Sequence, residues 1–316
     1  MTIFQDTSAP IVAVVGATGT QGGSVIKALA ESGKPYRIRG FTRDASSRSA
    51  QGLVKQGVDM ISVSLTLQNK ENVYKAFEGA TYAFAVTNFW EHQDMEREIA
   101  EGKMMVNAAK AANVRLLVWS GLEDFSKVSG GKYTHVQHFD GKARVTAYAK
   151  EIGIPFVNVQ PGQYMSNFLG SGFKKQADGS FVMHGVGAPD ALTAILDTAH
   201  DYGLFVRKAI EKSQPGSEIF AYGSNLTGPE MAKQWGQVLG ETASYVQISE
   251  DEFKQGILKA GMPEVLAVEF YEMNAAIAEY GYFGPNDLTE SHKDLARTPR
   301  TWVDFVRAND WSRTTD

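Results

Sequence analysis

Residues 11–23 read Ile11-Val-Ala-Val-Val-Gly-Ala-Thr-Gly-Thr-Gln-Gly-Gly23 and combine an apolar run with three regularly spaced glycines. The first five residues are largely β-branched and predict a strand buried on both faces, as in the middle of a parallel sheet. The apolar spacing from Ser24 to Ala30, which stops before Gly33, predicts a helix directly after the glycines. A strand, a glycine turn and a helix in this order predict the first βα unit of a dinucleotide-binding fold.

Each of the three glycines has its own task in this interpretation. Gly16 permits the tight turn, Gly19 lets the backbone approach a pyrophosphate, and Gly22 lets the helix pack close to the strand. The start of the helix offers free N–H groups and the positive end of its dipole to the phosphates. Side-chain donors at the same place are Thr18, Thr20 and Gln21. The alternative is a glycine-rich turn that holds no ligand.

The composition is that of an ordinary globular protein. The 316 residues are 43% hydrophobic and 21% charged, which predicts one large domain and a smaller lobe. A net charge of −5 argues against direct binding to nucleic acid or to an anionic membrane, because both need a basic face. Since the chain has no cysteine, it can form no disulfide and no thiolate zinc site. His135 and His138 lack a third ligand nearby, so no metal site is predicted.

Membrane and export signals are not apparent in the sequence. No apolar run approaches the length of a membrane span, and residues 1–10 lack the basic-then-apolar pattern of a secretory signal. We therefore expect a soluble, intracellular protein, cytoplasmic by preference and with the nucleus left open.

Strand and helix patterns alternate along the first half of the chain. Further strands are predicted at 36–42, 59–63, 82–86, 116–119 and 156–160, and helices at 49–56, 72–77, 95–112 and up to Tyr148. This alternation predicts an α/β fold with a Rossmann-type, doubly wound parallel sheet. We expect an NADP-binding Rossmann domain at residues 1–165, completed by parts of 190–223. Residues 166–189 and 224–316 are expected to form a smaller cap lobe.

The C-terminal lobe is predicted to be mainly helical. Helices are expected at 227–239, 253–260, 264–280 and 299–307, with a strand at 218–222. Two of these helices begin with the pattern of a capping box, Thr227 with Glu230 and Ser249 with Glu252.

The end of the second strand indicates which cofactor the fold prefers. An acidic residue there would bind the adenosine ribose of NAD, whereas an arginine pairs with the 2′-phosphate of NADP. Thr42 stands at the expected acidic position and Arg43 follows it, with Arg48 nearby. NADP is therefore favoured, although Asp44 could take the ribose instead and a solvated surface role for the arginines stays open.

The glycine turn, together with three further blocks, resembles the atypical short-chain dehydrogenase/reductase family and its NmrA-like branch in particular. The blocks are Thr87-Asn88-Phe89-Trp90-Glu91, Ser120-Gly121-Leu122-Glu123 and His138-Phe139-Asp140-Gly141-Lys142. They are very similar to those of NADPH-sensing regulators of this branch, whereas the C-terminal lobe is more similar to fungal members. The resemblance covers residues 10 to 310.

This resemblance implies a set of residues that hold NADP. The implied set is Gly16, Ala17, Thr18, Gly19, Thr20, Gln21 and Gly22 in the turn, Arg43 after the second strand, Thr87, Asn88 and Phe89 beside the cofactor, Lys142 near the nicotinamide ribose, and Gln163 and Tyr164 on the nicotinamide side. Ser64 stands where family members usually carry an aspartate beside the adenine, which leaves that contact open.

The catalytic pair of active short-chain dehydrogenases is missing from the sequence. These enzymes use Tyr and Lys four residues apart, so that the lysine lowers the pKa of the phenol. None of the twelve tyrosines has Lys at that spacing, and the expected segment carries His138 and Lys142 instead. Histidine transfers protons at neutral pH, so His138 and Lys142 are the candidate catalytic residues if the protein is an enzyme.

Two hypotheses follow for the function. The first is an NADP(H)-binding regulator that reports the redox state of the cofactor to a protein partner. The second is an NADP-dependent reductase of a small apolar or aromatic substrate bound between the lobes, with Lys142 and His138 or Tyr164 assisting. Neither hypothesis includes direct contact with nucleic acid or membrane, and oligomerisation stays open.

Overall fold

The computed structural model describes residue 3 and residues 6–312. The outermost ends of the two predicted domains, and part of the segment 1–10 considered as a secretory signal, lie outside the described residues. Within residues 6–312, no helix combines the length and the apolar composition that crossing a membrane would require.

Strands and helices alternate as the sequence predicts. Within residues 6–312 the strands are β1 Ile11–Val14, β2 Arg37–Thr42, β3 Asp59–Ser62, β4 Tyr82–Ala85, β5 Leu116–Trp119, β6 Phe156–Pro161, β7 Gln163–Tyr164, β8 Lys174–Lys175, β9 Phe181–Gly185, β10 Leu192–Leu196, β11 Glu218–Ala221, β12 Ser224–Thr227 and β13 Ala243–Gln247. The helices are α1 Thr20–Ala30, α2 Arg48–Val54, α3 Lys70–Phe77, α4 Met95–Ala111, α5 Phe125–Val128, α6 Gln137–Glu151, α7 Thr198–Lys212, α8 Gly228–Leu239, α9 Glu250–Lys259, α10 Glu264–Tyr280 and α11 Trp302–Ala308. Short 3-10 helices span Leu67–Asn69, Phe89–Glu91 and Met165–Phe168.

The central sheet has seven parallel strands in the order β3-β2-β1-β4-β5-β6-β11. This confirms the predicted Rossmann-type fold. The chain passes from β1 to β2 on one side and later returns through β4 on the other, so the strand order reverses between β1 and β4. Ligands of open α/β sheets bind at the carboxyl ends of the strands at such a point. The division into two domains stays a prediction, with β11 of the segment 190–223 forming one edge of this sheet.

Each face of the sheet is covered by its own apolar core. On one face, Val25 of α1 and Phe205 of α7 pack together against the strands, and on the other face α3, α4 and α6 do the same. Helices α1 and α7 approach closely at Gly203, where an added Cβ would lie 2.0 Å from the carbonyl oxygen of Ser24. The N–H of Gly203 donates to Ser24 Oγ at 2.9 Å. This contact holds the helix that follows the glycine turn in a fixed position.

The C-terminal region is helical, as predicted, and both capping boxes are present. The last helix starts at Trp302 and not at Pro299, because Thr301 caps it and Asp304 closes the capping box. Two small three-stranded sheets, β12-β10-β7 and β13-β9-β8, accompany the helices and were not predicted.

Helix α10 packs against α6 and the loop that precedes it. Its apolar side packs with Phe139 of α6 through Ala276 and Ile277. On its polar side, the carboxylate of Glu272 accepts hydrogen bonds from His135, at 2.8 Å from the backbone N–H and 2.6 Å from Nδ1. The loop just before α6 is therefore held in place by this distant helix.

Candidate functional site

A cleft of about 710 Å³ opens at the carboxyl ends of β1 and β4 and is called here the switch-point cleft. Its walls bring together nearly all of the residues that the sequence predicts for a cofactor. These are Gly16, Thr18, Gly19, Thr20, Gln21, Gly22, Arg43, Thr87, Asn88, Phe89, His138, Lys142, Gln163 and Tyr164. Ala17 lies beneath the turn and is fully buried, with its N–H donating to the carbonyl of Phe41 at 3.1 Å.

The glycine turn has the geometry that its three glycines require. Gly16 adopts a φ of +64°, in the left-handed region that favours glycine. A Cβ at Gly22 would lie 2.2 Å from the carbonyl oxygen of Gly16, so only glycine allows α1 to pack there. Gly19, just before α1, has a φ of −90° and an added Cβ would contact only that same oxygen, at 3.2 Å. Helix α1 begins at Thr20, four residues before the predicted Ser24. Because its first turn lines the cleft, the free N–H groups of the helix N-terminus are available there.

The end of β2 presents Arg43 but not Asp44 to the cleft. Nη1 of Arg43 lies 3.1 Å from the Oε1 atom of Glu91, and 73% of the Arg43 side chain is exposed. The carboxylate of Asp44 accepts hydrogen bonds from the N–H and Oγ of Ser46, at 2.8 and 2.6 Å, which lower its pKa. Asp44 is therefore engaged in its own turn. Ser64 lies in the same wall of the cleft as Arg43.

Lys142 is anchored by a buried carboxylate that the sequence did not reveal. Its Nζ donates to Oε1 of Glu98 on α4, and the hydroxyl of Thr87 donates to the same oxygen at 2.6 Å. All three side chains are buried. The second oxygen of Glu98, Oε2, has no hydrogen-bond partner among the described residues. A Cβ added at Gly141 would lie only 2.8 Å from this oxygen. Glu98 thus fixes two of the predicted cofactor contacts at once.

We expect Glu98→Gln to lower the free energy of unfolding by about 3 kcal/mol, because it leaves the buried ammonium of Lys142 without a countercharge. Urea unfolding followed by circular dichroism measures this change. Glu96→Gln is the matched control, since Glu96 lies on the same helix in an exposed ion pair with Arg144 and should change stability by less than about 0.5 kcal/mol. Equal stability of the two variants would contradict the assigned role of Glu98.

His138 is held by a second buried carboxylate, Glu269 of α10. Its backbone N–H and its Nδ1 lie 3.1 and 2.5 Å from Oε1 of Glu269, which is only 2% exposed. With Nδ1–H donating to the carboxylate, Nε2 is the nitrogen left for a ligand. No sequence pattern could show this pair, because 131 residues separate its members.

Aromatic side chains surround His138 and form what is called here the apolar end of the cleft. The ring of Trp90 lies 4.9 Å from the ring of His138 and 5.4 Å from that of Phe270, measured between centroids. Other members are Phe89, Leu122, Phe139, Met273 and Tyr282. Such a surface, mostly aromatic and with the imidazole of His138 in it, suits a flat and largely apolar ligand.

Tyr164 also lies in the cleft wall, where its hydroxyl accepts a hydrogen bond from Nε2 of Gln21 at 2.7 Å. Burial raises the pKa of this phenol. Tyr164 therefore stays protonated at neutral pH, and its hydroxyl is paired with an amide and not with the cation that activates a catalytic tyrosine.

Among the described residues, one acidic group has the spacing of metal ligands: Asp197, His200 and Asp201. Two arginines already neutralise it, because Arg297 pairs with Asp201 and Arg300 pairs with Asp197 at 2.9 Å. These contacts attach the C-terminal segment to the start of α7, and we assign the cluster a structural role.

Comparison with known proteins gives a family model, the NmrA-like family, that matches residues 8–306. An NmrA-like family domain-containing oxidoreductase of Cladobotryum sp is 32% identical over 165 residues, which are 50% of this chain and 48% of that protein. The chain thus spans about half the length of this relative. An NAD(P)H azoreductase of Xenophilus azovorans is 28% identical over 306 residues, 95% of this chain and 98% of the azoreductase.

Solved structures share the fold over nearly the whole chain. NmrA, a negative transcriptional regulator, superposes with a TM-score of 0.80 at 22% identity and covers 96% of this chain and 99% of its own. Structures of the same regulator in complex with NAD and with NADP give TM-scores of 0.78 and 0.72 at 23% identity.

Proposed function

The chain belongs to the NmrA-like family, and from this premise we propose that it binds NADP(H) in the switch-point cleft and reduces a flat, apolar acceptor at the apolar end. The similar proteins include a negative transcriptional regulator and an NAD(P)H azoreductase, so membership alone does not choose between these two functions. The observation that carries the proposal is the buried pair of His138 and Glu269. Glu269 binds Nδ1 of the imidazole, which leaves Nε2 for a ligand at the apolar end of the cleft.

The residues of the cleft fit NADP. The backbone at Gly19 leaves the space that a side chain would fill, next to the N-terminus of α1, which suits a pyrophosphate. The guanidinium of Arg43 suits the 2′-phosphate, while Lys142 and Thr87 supply polar groups farther along the cleft. The 2′-phosphate is the group that distinguishes NADP from NAD, which is why we propose NADP.

When bound, NADPH supplies the hydride. Reduction of a carbonyl, imine or azo group also needs a proton, and His138 is placed to give it from Nε2 to the heteroatom of the acceptor. Glu269 stabilises the imidazolium before transfer and keeps Nδ1 protonated after it. The aromatic rings beside His138 orient a planar acceptor.

The test is turnover. The protein is incubated with NADPH and a panel of quinones, azo dyes, imines and enones, and consumption of the reduced nicotinamide is followed by its absorbance. We expect turnover of at least one planar acceptor class. Tight NADPH binding without turnover of any class would contradict the reductase proposal.

A second candidate function, a regulator that senses the cofactor, is favoured by two observations. The expected Tyr and Lys pair is absent, and Lys142 is tied into an ion pair with Glu98. In this case NADP and NADPH must stabilise different states of the protein, since a ligand that binds two states equally shifts neither. Hydrogen exchange in the loops 87–94, 121–138 and 161–168 should then differ between the two cofactor forms.

We expect Arg43→Ala to weaken NADP binding by about 1–3 kcal/mol, because a charge-assisted hydrogen bond to the 2′-phosphate is lost. NAD lacks this phosphate, so its affinity should change little. Isothermal titration calorimetry measures both cofactors, with Arg48→Ala as the matched control. Equal losses for NADP and NAD would show that Arg43 acts on a part that they share.

A further inference from the structure

One short 3-10 helix, Phe89–Glu91, contacts both ends of the switch-point cleft. Its first residue, Phe89, is buried. Trp90 covers His138 and Phe270 at the apolar end. The next residue, Glu91, reaches the other way and pairs with Arg43 at 3.1 Å. Three consecutive residues thus connect the arginine proposed for the 2′-phosphate with the histidine proposed for proton transfer.

The pair of Arg43 and Glu91 is open to competition. Both side chains are largely or partly exposed, so their attraction is weak and screened by solvent. A phosphate has more charge and more acceptor oxygens than a carboxylate, and it would take the guanidinium. The carboxylate of Glu91 would then stand beside a second anion and be repelled. Oε1 of Glu91 also lies 3.9 Å from Nε2 of His92, which attracts the carboxylate only when the imidazole is protonated.

We propose that Glu91 is a specificity-determining residue that competes with the 2′-phosphate of the cofactor for Arg43. Because Glu91 and Trp90 are adjacent in one helical turn, displacement of Glu91 shifts Trp90 against His138. Binding of the 2′-phosphate, which NAD lacks, thereby changes the position of Trp90 at the apolar end. This inference rests on the proposed function only in taking Arg43 as the 2′-phosphate site.

Binding affinities test the competition. We expect Glu91→Gln to tighten NADP about 3- to 10-fold in calorimetry, while the affinity for NAD stays within about twofold. The gain should shrink in the Arg43→Ala background, since the two anions then no longer share a cation. Glu96→Gln is the matched control, because it removes the same charge from an exposed side chain nearby. Unchanged or weaker NADP binding by Glu91→Gln, or a loss of NAD affinity, would overturn the inference.

Tryptophan fluorescence tests the link to the apolar end. The probes are 2′,5′-ADP, which carries the 2′-phosphate but no nicotinamide, and 5′-AMP, which has neither. Subtracting the signal of Trp90→Phe isolates Trp90 from the other four tryptophans. We expect 2′,5′-ADP to change the Trp90 signal, 5′-AMP not to do so, and Arg43→Ala to abolish the change. Equal responses to both probes, or none with 2′,5′-ADP bound, would refute the coupling.

The outcomes separate this inference from the proposed function. If the unmodified protein binds no NADP, both fail. If it binds NADP and Glu91→Gln leaves the affinity unchanged, only the role of Glu91 fails. If it binds NADP but reduces no acceptor, the reductase proposal fails and the competition at Arg43 is still measured by calorimetry.

Discussion

Gly19→Val is expected to abolish cofactor binding in a protein that still folds. The residue lies in the wall of the switch-point cleft just before α1, and its φ of −90° is accessible to valine. An added Cβ meets only the carbonyl oxygen of Gly16, at 3.2 Å, so the protein itself needs to adjust by a few tenths of an ångström. The branched side chain would instead occupy the space through which phosphates approach the helix N-terminus. Calorimetry with NADP and NADPH measures the loss, and thermal unfolding checks the fold.

Gly22→Ala is the informative comparison for this variant. Its Cβ would lie 2.2 Å from the oxygen of Gly16, inside the contact between the turn and α1, so it should reduce stability by about 1–3 kcal/mol or more. Both glycines line the cleft, but the Gly19 variant is expected to act on binding and the Gly22 variant on the packing of α1. Unchanged NADP affinity in a folded Gly19→Val protein would place the cofactor site elsewhere.

The βα unit could be predicted from sequence because its signals are local. The apolar run of β1, the turn glycines and the helix that follows lie within twenty residues, and each constrains the backbone directly. The start of α1 was placed four residues too late, at Ser24, because the apolar periodicity begins only there. Gly22 and Gly23 have low helix propensity, yet close packing of the first turn places them in the helix.

The carboxylates that position the candidate catalytic groups could not be predicted. Glu98 is one of several acidic residues near the start of α4 and has no sequence feature that separates it from Glu96. Only the packing of α4 against α6 shows which of them is buried next to Lys142. Glu269 lies even farther from its partner along the chain, on a helix of the other lobe. Long-range pairs of this kind depend on tertiary packing, which local patterns do not encode.

Parts of the two small sheets were missed for a related reason. Two of their strands, β7 and β8, have only two residues, and β7 pairs with β10, which lies well downstream in the chain. An alternating pattern needs four or more residues to be recognised. The helices of the same region were predicted because their capping boxes are local.

His138→Ala is expected to lower kcat about 10²- to 10⁴-fold with an acceptor that the unmodified protein reduces, while NADPH affinity stays within about twofold. The reason is that the proposed proton donor is removed at the apolar end, whereas the glycine turn, Arg43 and Lys142 are untouched. Steady-state kinetics give kcat, and calorimetry gives the affinity. Glu269→Gln should have a smaller effect, because the imidazole stays in place but loses the carboxylate that orients it.

His138→Tyr completes the experiment, because it places a tyrosine four residues before Lys142. A phenol beside that ammonium has the arrangement of active short-chain dehydrogenases, so the variant should recover part of the turnover that His138→Ala loses. Recovery would show that position 138 supplies a proton and not merely a packing contact with Trp90. If His138→Ala keeps full turnover, the proton comes from another group. The unmodified protein could instead bind NADPH and oxidise none of it with any acceptor, while cofactor binding alters hydrogen exchange in the surrounding loops. The regulator would then be the better assignment, because the cleft responds to the cofactor without using its hydride.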